Sequence, residues 1–286
     1  MNDRWHDVRS LLRDTAKRFT DLVRTARDPA TPVVPGWDLA DTAAHLVVVC
    51  SFDAYCATDG DVPFIAPEAL SLVPTVNIDS LSQVNVVAGK HFIERRLDVL
   101  ADEIDLHVAV LLDRTADHDP DALWPWLGGA RLPTSFLLSH ALNEMLVHGH
   151  DIATAEGRSW PIPPRTMAVS FDAFILTLLR GDSGGFFVTP SPSSSAPSSP
   201  VSSGTVRVRV RMPHLAPVTL VAEHGRLYVD DAGGPVDLHL WATPETLMFV
   251  LWRRVGVVPS VLRGRLRVWG RRPWLAMRFL ESARTP

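Results

Sequence analysis

Glu144 and His148 stand four residues apart in SHALNEMLVHGHDIATAEGR, a segment whose apolar spacing predicts a helix over about 134–156. At that spacing two side chains stack on one helical face, with Cβ atoms about 6 Å apart, close enough to share a cation. A carboxylate and an imidazole so placed can ligate a metal, or can be a solvated acid and a histidine near a helix end. Asp151 follows one turn after His148 and can orient that imidazole or simply face water. His140, four residues before Glu144, reads as a plain amphipathic position, a substitute ligand or an acid/base group, whereas His150 falls off that face. A second segment, GWDLADTAAHLV, sets His45 among Ala43, Ala44, Leu46 and Val47, where a histidine is either hydrogen-bonded in the core or a ligand.

Helices must position these groups. Residues 3–26 place Trp5, Val8, Leu11, Leu12, Phe19 and Leu22 at spacings of an amphipathic helix. Pro32, Pro35 and Gly36 break the chain, and Asp38 can cap a second helix running to about Cys56. A third is predicted over about 79–115, a fourth over about 134–156 with Gly157 as its stop, and a short one over about 164–180. Four long helices joined by loops imply a bundle. TPSPSSSAPSSPVSSG, residues 189–204, cannot support a core and reads as a linker or long exposed loop. Beyond it, TVRVRVRM alternates as a strand does, with Arg207, Arg209 and Arg211 on the wet face of an edge strand. APVTLVAE, GRLYVDD and GGPVDLHLWA read as further strands and PETLMFVLWRRVG as a helix. LRGRLRVWG reads as a short strand or turn before a last helix, WLAMRFLESA. The expected organisation is multi-domain: a helical bundle over 1–188, a linker over 189–204 and a smaller α+β domain over 205–286.

Composition bounds the function. At about 100–200 residues per domain, 286 residues suggest two domains. Charged residues make up 21% and the net charge is −4, so no broad basic footprint for nucleic acid exists. The charge is uneven: thirteen Arg against six acids leave +7 over 205–286, and the remainder carries −11. That asymmetry can hold two domains together, receive an acidic ligand or merely be a solvated arginine-rich face. Cys50 and Cys56 are too few for a disulfide framework and suit reduced, partly buried thiols. The charged start MNDRWHDVR is not a signal peptide, and no uninterrupted apolar run reaches about 18 residues. A cytoplasmic protein without a membrane partner is expected, as monomer or homodimer.

The W-x-x-x-D-x-x-x-H-L segment from Trp37 to Leu46, and the E-x-x-x-H-x-x-D-[IL]-A segment from Glu144 to Ala153, together resemble the mycothiol-dependent maleylpyruvate isomerase family, within the larger DinB-like bundle group. The resemblance continues through A-x-G-R at Ala155, Gly157 and Arg158. GGPVDLHLWATPETLMFVLWRR and GRLRVWG resemble that family's sterol-carrier-like companion domain. Two departures stand out: Asn143 occupies a position where some members carry Arg, and Arg253 precedes Arg254 where the family often has Gly.

The resemblance implies a DinB-like four-helix bundle with a sterol-carrier-like domain, and a divalent metal, zinc above all, on His45, Glu144 and His148. Two imidazoles and a carboxylate suit zinc and leave a fourth position open, the catalytic pattern. The implied chemistry is isomerisation or S-transfer, in which mycothiol or another low-molecular-weight thiol attacks a small electrophile. Asp151 would bind the thiol's polar groups or orient His148, and Arg254 would clamp a substrate carboxylate across the cleft. The alternative is a non-catalytic carrier with a structural metal, Trp241, Trp252, Trp269 and Trp274 lining an apolar pocket in the C-terminal half. A third possibility is a bundle that only mediates protein contacts.

Overall fold

Helix α1 (Asp3–Arg24) forms on the predicted stripe, and Trp5, Val8, Leu12 and Phe19 are all buried on its inner face. The structure is a computed structural model that describes residues 3–181, 205–223 and 226–282. Strands β1 (Pro32–Val34) and β2 (Trp37–Asp38) form a small hairpin that delivers Asp38 to the start of α2 (Leu39–Cys56). Asp38 Oδ1 accepts the Asp41 N–H at 2.8 Å, satisfying an otherwise orphaned donor of the first turn. By length and composition alone α2 could cross a membrane, but 83% of it is buried inside the protein, where the other helices take up its apolar surface.

The single helix expected over 79–115 is two, α3 (Leu81–His91) and α4 (Leu97–Arg114). The break has a polar cause. Glu94 accepts the backbone N–H groups of Arg95 and Arg96 at 2.8 Å each. The Arg95 guanidinium donates to the carbonyls of Gly89 and Phe92 at the end of α3, and to Asp41. Side chains thus replace the helical bonds that Phe92–Arg96 gives up.

Strands β3 (Leu123–Pro125) and β4 (Arg131–Pro133) form a second hairpin that leads into α5 (Thr134–Ala155). Gly157, at φ +67°, ends it in the left-handed region a helix stop favours. α6 (Pro164–Ser170) runs through a π turn, Phe171–Leu176, into α7 (Thr177–Arg180). α1 and α2 each pack along both α4 and α5, so α5 meets α2 lengthwise. The Ser/Pro-rich segment 189–204 lies outside the described residues.

The C-terminal half is a mixed sheet with helices. It contains β5 (Val206–Met212), β6 (Leu215–Glu223), β7 (Arg226–Val229), β8 (Leu238–Ala242) and β9 (Leu266–Gly270), in the order β7-β6-β5-β8-β9. β5 pairs parallel with β8 and every other neighbour is antiparallel. β5 is therefore central, not the edge strand its arginines suggested. Alternation reports which face is wet and says nothing of how many neighbours a strand has. Val206, Val208 and Val210 are buried as expected, and Arg207 is paired with Asp230.

α8 (Pro244–Leu251), α9 (Val257–Leu262) and α10 (Leu275–Ser282) complete the half. α9 falls between the segments read as elements from the sequence, and its Pro259 sits in the first turn, where proline is tolerated. α6 packs against α8, and the His150 ring stacks on Phe249 with centroids 4.2 Å apart. His150 is structural.

Candidate metal centre

α2 and α5 place three donor groups face to face. His45 Nε2 lies 3.3 Å from Glu144 Oε2, and His148 Nε2 lies 3.4 Å from the same oxygen. Donor atoms on one tetrahedral zinc, about 2.1 Å from it, stand about 3.4 Å apart. All three donors lie within 4.8 Å of one another, and among the described residues this is a cluster able to hold a metal ion. The side chains are only 11–12% exposed. Two imidazoles that turn Nε2 toward one carboxylate oxygen, with little water, fit a divalent cation by donor type and by spacing.

The surroundings hold the rings in place. Trp37, set by the β1–β2 hairpin, packs on His45 with centroids 4.8 Å apart. Asp151 Oδ2 stands 3.3 Å from His148 Nδ1, on the opposite side of the ring from Glu144. Arg254 reaches from the end of α8 to Asp151, Nε to Oδ1 at 3.0 Å and Nη2 to Oδ2 at 2.7 Å, while Nη1 donates to the Trp252 carbonyl at 2.9 Å. Of its five N–H donors, three are engaged this way.

Electrostatics differ between the two imidazoles. Burial pushes His148 down, but the carboxylates of Asp151 and Glu144 outweigh it and raise the ring to about 9. Burial dominates at His45 and lowers it. For Glu144 burial is overcome by hydrogen bonds from His148 and His45, which hold the carboxyl well below its usual range. Without a cation, these directions favour charge on His148 and Glu144 and a neutral His45.

The cluster forms one wall of a cavity of about 440 Å³. Most of the remaining lining is apolar, from Val48 and Phe52 of α2, Leu81 and Val84 of α3, and Phe174 and Leu178 farther on. Trp252 and Arg254 supply the lining from the C-terminal half. The other three tryptophans proposed for a C-terminal apolar pocket do not line it; Trp269 and Trp274 are exposed and Trp241 lies under Arg267. Asn143 is buried beside the site, its Nδ2 donating to Glu144 Oε1 at 3.5 Å.

Of the residues the sequence singled out, His45, Glu144, His148, Asp151 and Arg254 come together in one place. One functional candidate escaped that reading. Asp53, fully buried near the end of α2, meets His140 Nδ1 at 3.0 Å through both carboxylate oxygens. An acid in the apolar run SFDAYC was the available signal. The thiols of Cys50 and Cys56 are buried, and burial raises both well above the usual thiol range, which disfavours the thiolate.

The fold and site thus define a helical protein with a C-terminal mixed sheet and a His–Glu–His cluster on the wall of an apolar cavity. No family model and no curated protein matches the chain. Among solved structures it is similar to the crystal structure of the mycothiol-dependent maleylpyruvate isomerase, at 13% identity and a TM-score of 0.47, covering 87% of this chain and 91% of that one. It is similar also to a histidine-to-alanine mutant of that enzyme, at 12% identity and a TM-score of 0.46, over the same shares.

Proposed function

We propose that this protein is a divalent-metal enzyme, with zinc as the metal, that uses mycothiol or another low-molecular-weight thiol to attack a small electrophile, leading to isomerisation or S-transfer. The observation that carries this reading is the convergence of His45 Nε2 and His148 Nε2 on Glu144 Oε2 at the wall of a cavity. In it the helical half is a DinB-like four-helix bundle over 1–188, joined by the 189–204 linker to a sterol-carrier-like domain over 205–286. The protein works in the cytoplasm, as a monomer or homodimer, without nucleic-acid or membrane partners.

A cation held by these three side chains would keep one coordination position open and make a thiol there acidic enough to ionise at neutral pH. The chain's own residues then have separable tasks. Asp151 fixes the His148 ring from behind, so that Nε2 stays aimed at the ligand position. Arg254, held by Asp151 along its Nε edge, lines the cavity with N–H donors to spare, from which a carboxylate or the thiol's polar groups there could accept. The apolar walls exclude water and favour an electrophile with an apolar body.

The test is metal analysis followed by turnover. Protein purified under zinc-replete conditions should carry one zinc per chain, lost in His148→Ala and Glu144→Gln. Incubation with mycothiol and a panel of electrophiles should yield adducts or isomers by mass. Metal-free wild-type protein under those conditions would remove the basis of the reading. The same apolar cavity favours a carrier as second reading; tight retention of an apolar ligand by zinc-loaded protein that performs no thiol chemistry would select it.

A further inference from the structure

We propose that His140, oriented by Asp53, is the proton-transfer group of this cavity, working beside the thiol site as a second catalytic element. The proposal rests on the thiol-addition reading above and assigns the proton step within it.

Asp53 is completely buried in α2, and both of its oxygens meet a single ring nitrogen, His140 Nδ1, at 3.0 Å. A carboxylate is costly to bury without a partner, so this pairing fixes the tautomer and the plane of the imidazole. Phe136, Trp126 and Phe174 pack round the ring and leave it little rotational freedom. With Nδ1 committed, the free edge is Nε2, and His140 lines the same cavity as His45, Glu144 and His148. His140 precedes Glu144 by one turn, about 6 Å along the helix axis. That offset suits a group acting on the far end of an electrophile whose near end meets sulfur.

The charged groups around it are few. Asp53 and His45 face the ring from α2 and Glu144 follows one turn along α5, while the aromatic neighbours are uncharged. Burial lowers His140, but the charge and hydrogen bond of Asp53, with help from Glu144, prevail and leave it raised. That direction favours the protonated ring.

With an α,β-unsaturated carbonyl substrate the step balances. The S–H bond of the thiol breaks and its proton passes to solvent, and sulfur uses that electron pair to form the S–C bond. The C=C π pair forms a new double bond between the α carbon and the carbonyl carbon, and the C=O π pair moves onto oxygen, which takes the proton from His140 Nε2 to give the enol. Solvent returns a proton to the imidazole, so the net change is addition of R–S–H. Reversal after rotation about the new single bond gives isomerisation.

The experiment uses the zinc-loaded full chain, mycothiol and trans-4-phenyl-3-buten-2-one, an apolar enone, with His140→Gln and Asp53→Asn variants. kcat is expected to fall about 100-fold or more in His140→Gln, with one zinc per chain and KM for mycothiol retained. In wild type kcat should decline at high pH as the imidazolium is lost. That limb should vanish in His140→Gln and move to lower pH in Asp53→Asn. Nitrogen-15 NMR of the imidazoles gives a readout free of turnover: the His140 midpoint should drop in Asp53→Asn. If Asp53→Asn does not fold, the limb in His140→Gln decides alone. Wild-type turnover that His140→Gln leaves unchanged, or an unmoved high-pH limb, overturns the dyad and spares the metal reading. No turnover by zinc-loaded wild type overturns both.

Discussion

Arg254 and Asp151, 103 residues apart in the chain, meet through two charge-assisted contacts at 3.0 and 2.7 Å. Asp151 in turn backs His148. One carboxylate therefore ties the C-terminal half to a candidate metal ligand.

Removing that tie should separate metal content from turnover. Arg254→Ala leaves a nearly buried carboxylate with the His148 ring but without its guanidinium, a loss of about 2–3 kcal/mol, below the usual cost of a broken buried pair because Arg254 is a quarter exposed and His148 remains. Zinc should remain, since no ligand is lost, and turnover should fall. Arg254→Lys should recover little, because an ammonium cannot span both oxygens. Thermal melts, zinc analysis and rates on the same samples decide this, and loss of zinc in Arg254→Ala would contradict it.

Zinc and a proton should compete for His148. With its ring raised to about 9, the metal-free site is protonated at neutral pH, so uptake should release about one proton between pH 7 and 8. Affinity should then fall about tenfold per pH unit below 9. The sign for stability is opposite: His148 stabilises the metal-free fold fully below about 6.5, and that contribution disappears as pH rises through about 9. Calorimetry in buffers of different ionisation enthalpy counts the proton, and a count near zero at pH 7 would rule the competition out.

Gly149 sits under Trp160, and a Cβ added there would lie 2.5 Å from Cζ2 of the indole. Gly149→Ala must displace a ring that also carries Arg18 on its face. The expected destabilisation is about 1–3 kcal/mol, with weaker zinc binding because His148 is the preceding residue. Adding Trp160→Leu should recover most of the loss in chemical denaturation. Equal stability of Gly149→Ala and wild type would show that the ring yields freely.

Arg253 occupies the left-handed region at φ +56°, at the position where the resembled family often has glycine. That conformation costs a side-chain-bearing residue about 1–2 kcal/mol. Arg253→Gly should therefore leave stability unchanged or slightly higher, the relief being offset by about 0.5–1 kcal/mol of added freedom in the unfolded chain. Arg253→Val should destabilise by about 1–2 kcal/mol. Denaturation midpoints in the reverse order would refute the backbone argument.

The three candidate ligands were legible because Glu144 and His148 share a helical face by spacing alone, and because motif resemblance supplied His45. The Asp53–His140 pair was not. Its partners lie on different helices, and only the lengthwise packing of α2 on α5 says which acid meets which histidine. The break between α3 and α4 was hidden for a related reason: Glu94 and Arg95 look like helix-surface residues until their side chains are seen taking backbone bonds. Strand alternation in β5 was read correctly, and its central place was not, since pairing is a property of the sheet.

α2 and α5 act as two graduated rods laid side by side. Eight residues separate His45 from Asp53, and eight separate His140 from His148, so the pairs meet at matching marks. At 1.5 Å of rise per residue the two stations, His140 with Asp53 and the donor cluster that begins at Glu144, are about 6 Å apart along the axis. A reach set by helical pitch cannot be retuned by loop changes. A molecule too short to touch both stations would be held at one and left unreacted, and inserting or deleting one residue between 140 and 148 would rotate the stations about 100° out of register. Length, before polarity, is then the first sieve.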